Sequence, residues 1–223
     1  ICTCLVGSEM CIRDSVEIDP LNPNSTPKKH TALGRFKHEN AELVISKDGK
    51  IVVYMGDDER GEYLYKYVSN ESMNEVKDKS TLLSNGNLYV AKFNDNFTGE
   101  WLLLDTQTTG LSSKAEICIF TRLAASKVGA TTMDRPEWIA SNPKKNEVCC
   151  CLTNNKNRGI KTNKGGDKVD VDKVNPRKNN KYGQIVRWSP QDNNHSSVYF
   201  EWDLFVVAGN PNVHDDNNKG SKN

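Results

Sequence analysis

Short apolar runs separated by Asn, Gly and Asp turns dominate this chain, and most of them alternate with a period of two rather than recurring at helical spacing. Ala41 to Ser46 and Ile51 to Met55 flank Lys47-Asp48-Gly49-Lys50, and Asp-Gly between two such runs predicts a β-hairpin. Glu62 to Ser69 places Tyr63, Tyr65 and Tyr67 on one face of a third strand. Turns at Ser84-Asn85-Gly86-Asn87 and from Asn94 to Gly99 lead into strands at Leu88 to Phe93 and Glu100 to Leu104. Val148 to Leu152, Tyr182 to Trp188 and Ser197 to Val207 complete the set. One helix near 113–128 interrupts it: Ser112-Ser113 can cap a stripe of Ile117, Phe120, Thr121, Leu123 and Ala124 that ends at Gly129. Asp19 to Lys29 reads as a loop or extended arm. Thr153 to Asn180 reads as a long excursion too polar to pack, with Val169, Val171 and Val174 as a hairpin arm. The pattern predicts an all-β sandwich, barrel or propeller; no clean internal repeat is visible, although propeller blades are built from such meanders.

Composition narrows the function more than the fold. A chain of 223 residues, 26% charged and 36% hydrophobic, suits one large β domain or two small ones. A net charge of +1 gives no general reason to expect nucleic acid, and no run of about 18 apolar residues predicts a membrane helix. The first fifteen residues also lack the basic-then-apolar order of a signal peptide. Basic residues crowd into 141–183, where they form a solvated loop or steer an anionic substrate. The cysteines do not suggest a metal knuckle or a disulfide framework. Cys2, Cys4 and Cys11 lie at the N-terminus and Cys118 in the expected helix. Cys149, Cys150 and Cys151 point alternately to opposite faces of a strand, as small apolar residues would. Ile1 to Ser15 resembles translated read-adapter sequence, so the fold reading starts at Val16, runs to residue 211 and leaves 212–223 as a polar tail.

Three polar stretches carry the candidate chemistry, each at or near the end of an apolar run. Arg135-Pro136-Glu137, if extended, puts Arg135 and Glu137 on one face about 7 Å apart. Such a pair can grip phosphate oxygens with the guanidinium while the carboxylate holds a cation, or it can be a cross-strand salt bridge. Glu39 follows Arg35, Lys37 and His38 and is either a metal ligand or a surface ion pair. Asp57, Asp58 and Glu59 can offer oxygen ligands to a hard ion such as calcium, though without EF-hand spacing. Asn154-Asn155 can lend side-chain carbonyls or simply turn the chain. No compact His-based zinc spacing, Gly-rich phosphate loop or nucleophile elbow is present.

Several segments, in order, resemble motifs of the PhoX-type alkaline phosphatases. They are His30-Thr-Ala-Leu-Gly-Arg-Phe-Lys-His-Glu39, Val53-Tyr-Met-Gly-Asp-Asp-Glu59, Tyr65-Lys-Tyr-Val68 and Gly129-Ala-Thr-Thr-Met-Asp-Arg-Pro-Glu-Trp138. Leu152-Thr-Asn-Asn155, Asn175-Pro-Arg177, Tyr182-Gly-Gln-Ile-Val-Arg-Trp188 and Trp202-Asp-Leu-Phe-Val206 continue the series, so the likeness covers roughly residues 19–211. The resemblance implies a partial β-propeller that hydrolyses phosphomonoesters with calcium and iron in a periplasmic or secreted parent protein. It implies Glu39 and Glu137 as metal ligands, Asp57 and Asp58 as further members of that cluster, and Arg135 as the catalytic group on the phosphoryl, with Asn155 also on the substrate side. The family's upstream Trp-Gly-Thr-Trp run with its Cys and Glu, which contributes to the iron site, has no counterpart here. The chain is therefore expected to be an internal fragment of such an enzyme. Two other readings stay open: a non-catalytic propeller that binds partners, and another calcium-dependent propeller hydrolase such as a lactonase, which would not need Arg135.

Overall fold

The structure is a computed structural model and describes residues 14–163, 169–212 and 220. Cys2, Cys4, Cys11 and the rest of residues 1–13, most of the adapter-like 1–15 stretch, lie outside the described residues, as does most of the tail. A short ribbon of β1 (Ser15–Glu17) and β2 (Lys28–His30) precedes the main sheet. A first antiparallel meander then runs through β3 (His38–Ile45), β4 (Lys50–Asp57), β5 (Leu64–Ser72), β6 (Gly86–Phe93) and β7 (Thr98–Leu103). A second runs through β8 (Pro136–Ser141), β9 (Val148–Leu152), β10 (Gln184–Pro190) and β11 (Tyr199–Val207). Strand β11 pairs with β7, so the nine strands form one sheet ordered β3-β4-β5-β6-β7-β11-β10-β9-β8. This is the all-β architecture the pattern predicts and the partial propeller the resemblance implies.

The sheet curls until its two edges meet, and side chains rather than a ladder close the seam. The Asn40 amide donates to the Ile139 carbonyl at 2.7 Å and accepts from the Ile139 N–H at 2.9 Å. The Glu42 carboxylate accepts from the Ser141 N–H at 2.8 Å. An unpaired strand edge exposes backbone donors and acceptors, and these contacts occupy part of both edges. Close by, a Cβ on Gly56 would stand 2.9 Å from the Pro136 carbonyl oxygen, so only glycine lets β4 and β8 approach this closely.

Two apolar layers follow from the period-two pattern. Ile51, Val53, Met55, Tyr63, Tyr65 and Tyr67 face outward into a core shared with the helices, as the Tyr alternation predicts. Val52, Tyr54, Leu64 and Val68 face inward, where they meet Ile139, Val148, Cys150, Trp188 and Trp202 of the second meander. Strands β4 and β5 are therefore buried on both faces. Lys66, fully buried among them, donates from Nζ to the Ser197 carbonyl at 2.6 Å and lies over the Trp101 ring. Burial pushes its pKa well below the usual lysine value. Cys150 packs in the inner core, as expected, while Cys149 and Cys151 on the opposite face are only half-buried.

Three expectations need correction. The single helix near 113–128 is instead α1 (Thr106–Thr109), α2 (Lys114–Ile119) and α3 (Thr121–Lys127). Ser113 caps α2 as expected, but Phe120 leaves helical geometry at φ −107°, ψ 46°, and Phe120 and Leu123 stay about half exposed. Strand β8 goes unread in the pattern because Pro136 opens it, an edge-strand position that proline tolerates. The interval Thr153 to Asn180 does pack: Asn155, Arg158, Asn175 and Asn180 are fully buried and Val174 enters the inner core, with no strand at Val169 or Val171. Its contacts are polar, so apolar periodicity could not reveal them.

Candidate active site

Strands β3, β4 and β8 bring their polar ends to one place, and a cavity of about 380 Å³ opens there. Lys37 and Glu39 enter it at the start of β3, Asp58, Glu59 and Arg60 just past the end of β4, and Arg135 and Glu137 at the start of β8. Backbone bonds lock the three segments together. Asp58 N–H donates to Lys37 O at 3.0 Å, and Gly61 N–H to Met133 O at 2.9 Å. Met133 N–H in turn donates to Glu62 O at 2.7 Å, and Arg60 bridges Asp134.

Arg135 sits at the centre with φ +53°, a left-handed backbone that a residue with a Cβ adopts only at a cost of about 1–3 kcal/mol. The extended Arg135-Pro136-Glu137 geometry inferred from the pattern is thus not what the chain adopts, yet the two side chains still meet. Arg135 Nη2 lies 3.2 Å from Glu137 Oε1. Its Nε and Nη2 also grip Asp58 in a fork, at 3.0 Å and 3.2 Å to the two carboxylate oxygens. Lys37 holds Glu59 at 2.5 Å, and Arg60 Nη2 donates to the Asn154 side-chain oxygen at 3.2 Å. Burial works against the Glu59 carboxylate, but the Lys37 ammonium and the Arg60 N–H outweigh it and keep its pKa below the usual range.

The sequence candidates divide here. Glu39, Asp58, Arg135 and Glu137 share the cavity. Asp57 does not reach it: its side chain is fully buried and turned to α3, where Arg122 Nε and Nη2 grip both oxygens at 2.7 Å and 2.5 Å. Asp57 is the last residue of β4 and Asp58 the first beyond it, and at this strand end the two neighbours turn to opposite sides. Burial raises the Asp57 pKa and Arg122 offsets this only in part. Beside them Glu62, 3.5 Å from Arg122, is pushed up to about 7 by burial and by the Asp57 charge. Asn155 is also absent from the lining; it is fully buried and donates to Asp134 Oδ1 at 2.9 Å. His38 stacks on Phe36 behind the site, donates from Nε2 to Gly34 O at 3.0 Å, and burial lowers its pKa to about 4.

The residue the pattern passed over is Asp134. It is fully buried and paired with the equally buried Arg158, whose Nε donates at 2.8 Å. Asn155 and Asn180 supply two further donors, and Arg158 also donates to Thr132 O and Asp170 O. The network fixes the residue directly before Arg135 from within the polar excursion. Its sequence signal was an unusual density of Asn after β9.

The chain matches the family described as Alkaline phosphatase PhoX over residues 15–223. It belongs to the PhoX family. The solved structure of Pseudomonas fluorescens PhoX in complex with vanadate, a transition state analogue, superposes with a TM-score of 0.82 at 49% identity. That match covers 93% of this chain and 38% of the Pseudomonas protein, so this chain spans well under half of that relative's length. No curated protein matches it.

Three cationic and four carboxylate side chains line the cavity, a formal balance of −1 that by itself disfavours a phosphate dianion. The lining oxygens are carboxylates with no His or Cys among them, a donor set that suits a hard cation such as calcium and carries nothing specific to iron. Among the described residues no three His, Cys, Asp or Glu converge as a ready metal cage, because Asp58 and Glu137 lean on Arg135 and Glu59 on Lys37. A cation bound there would reverse the sign of the cavity and compete with Arg135 for Asp58.

Proposed function

We propose that the protein hydrolyses phosphomonoesters to an alcohol and inorganic phosphate, and that this cavity is its phosphoryl site. The observation that carries the reading is the forked Arg135, held in a strained backbone in the wall of a carboxylate-lined cavity. A guanidinium fork matches two phosphoryl oxygens as well as it matches the Asp58 carboxylate, so substrate can take the place of Asp58. Lys37 and Arg60 add positive charge around the same space. Glu39, Asp58 and Glu137 would hold calcium. When bound, the cation neutralises charge that builds on the transferring phosphoryl group. Among the described residues no Ser, Thr, Cys or His lines the cavity, so water is taken as the attacking oxygen. Likeness to a vanadate-bound phosphatase supports the same substrate class. Iron as a second cofactor and an exported location belong to the same proposal and rest on family membership.

One observation favours a non-catalytic scaffold instead: Arg135 already has two carboxylate partners, as a structural salt bridge would. Turnover separates the readings. The full-length protein is expected to hydrolyse an aryl phosphate, to lose that activity in chelator and to recover it with added calcium. A folded, calcium-loaded protein with no turnover would leave the scaffold reading standing.

A further inference from the structure

Thr153 follows β9 and touches both halves of the Arg135–Glu137 pair. Its N–H donates to the Arg135 carbonyl at 3.3 Å, and its hydroxyl donates to Glu137 Oε1 at 2.8 Å. The same Oε1 receives Arg135 Nη2 at 3.2 Å, so backbone and side chains form a closed ring. Both of these contacts fall on Oε1, which leaves Oε2 as the oxygen to present to a ligand in the cavity.

The sheet does not set Glu137 by itself. Strands β8 and β9 shift register between Pro136 and Ile139, so Glu137 sits in a bulge where the ladder fixes its direction least. Thr153 is itself held from behind. Gly183, at φ +76°, lies so close that a Cβ there would meet the Leu152 and Thr153 carbonyl oxygens at 1.9 and 2.0 Å. Arg177 donates to the Gly183 carbonyl and, at 2.7 Å, to the Ala208 carbonyl, which braces that segment in turn.

We infer that Thr153 is a positioning residue of the phosphoryl site: its hydroxyl aims the Glu137 carboxylate while its N–H supports the strained Arg135. The inference rests on the phosphatase reading and names a residue that reading does not use. Thr153→Val keeps the shape and the N–H but removes the hydroxyl, and Thr153→Ser keeps the hydroxyl. Side chains that orient such carboxylates change activity by about 10–100-fold when removed. In the full-length protein Thr153→Val is therefore expected to lower kcat about tenfold or more, with Thr153→Ser close to wild type. Binding of inorganic phosphate, read by calorimetry, should weaken in the same order, and thermal unfolding of the two variants should coincide. In a Glu137→Gln background the Val substitution should add about twofold or less, because the two residues act as one unit.

Wild-type kcat in Thr153→Val, an equal loss in Thr153→Ser, or an undiminished loss in the Glu137→Gln background would each overturn the inference. Failure of the wild type itself to bind phosphate or turn over an aryl phosphate would instead remove the phosphatase reading, and this inference with it.

Discussion

Arg135→Ala is expected to lower kcat/KM for an aryl phosphate by about 10²-fold or more in the full-length protein, the usual scale for removing one preorganised partner of transition-state charge. Arg135→Lys should recover little of it. The guanidinium meets Asp58 through two nitrogens, and a lysine ammonium is a point charge that cannot reproduce the fork. Stability should respond far less than activity. Ala also carries a Cβ, so the left-handed backbone keeps its cost, and the ion pairs lost are partly exposed and worth about 0–1 kcal/mol each. Unfolding should therefore change little while turnover collapses. A variant that unfolds far more easily and hydrolyses normally would mark Arg135 as a structural residue. A calcium-dependent hydrolase of another class would likewise keep its turnover in Arg135→Ala.

Arg158→Met is expected to produce the largest loss of stability, about 3–5 kcal/mol, because it leaves the Asp134 carboxylate buried without its cation. Two asparagine donors remain at Asp134, but they supply dipoles and not charge. Replacing both partners, Asp134→Asn with Arg158→Met, should recover much of the loss, since no unpaired charge is then left inside. Denaturant unfolding of the two single variants and the double variant checks this, and additive losses would show that the pair is not a unit. Activity should fall with the single substitution even where the protein stays folded, because Asp134 immediately precedes Arg135.

The contrast between these two arginines explains what the sequence reveals and what it hides. Hairpins were legible because Asp48-Gly49 and the Tyr63, Tyr65, Tyr67 alternation state their geometry locally. The cavity residues Glu39, Asp58, Arg135 and Glu137 were legible as charges at strand ends and as family motifs. Their meeting was not legible, because it depends on the seam where β3 and β8 close through Asn40 and Ile139, residues about a hundred positions apart. Asp57 and Asp58 look alike in sequence and part by one step of the strand, one going to Arg122 and the other to Arg135. Arg158 and Asn155 were hidden for a different reason. A segment that packs through charge-assisted and amide hydrogen bonds carries no apolar period, so it reads as solvated loop.

Arg135 and its carboxylate neighbours form the proposed phosphoryl site, and vanadate inhibition tests that assignment most directly. Orthovanadate should inhibit aryl-phosphate hydrolysis by the full-length protein competitively, and the residual activity of Arg135→Ala should be at least about tenfold less sensitive, since each 1.4 kcal/mol of lost binding is tenfold in affinity. Equal sensitivity of the two proteins would contradict the assignment and move the phosphoryl group out of this cavity.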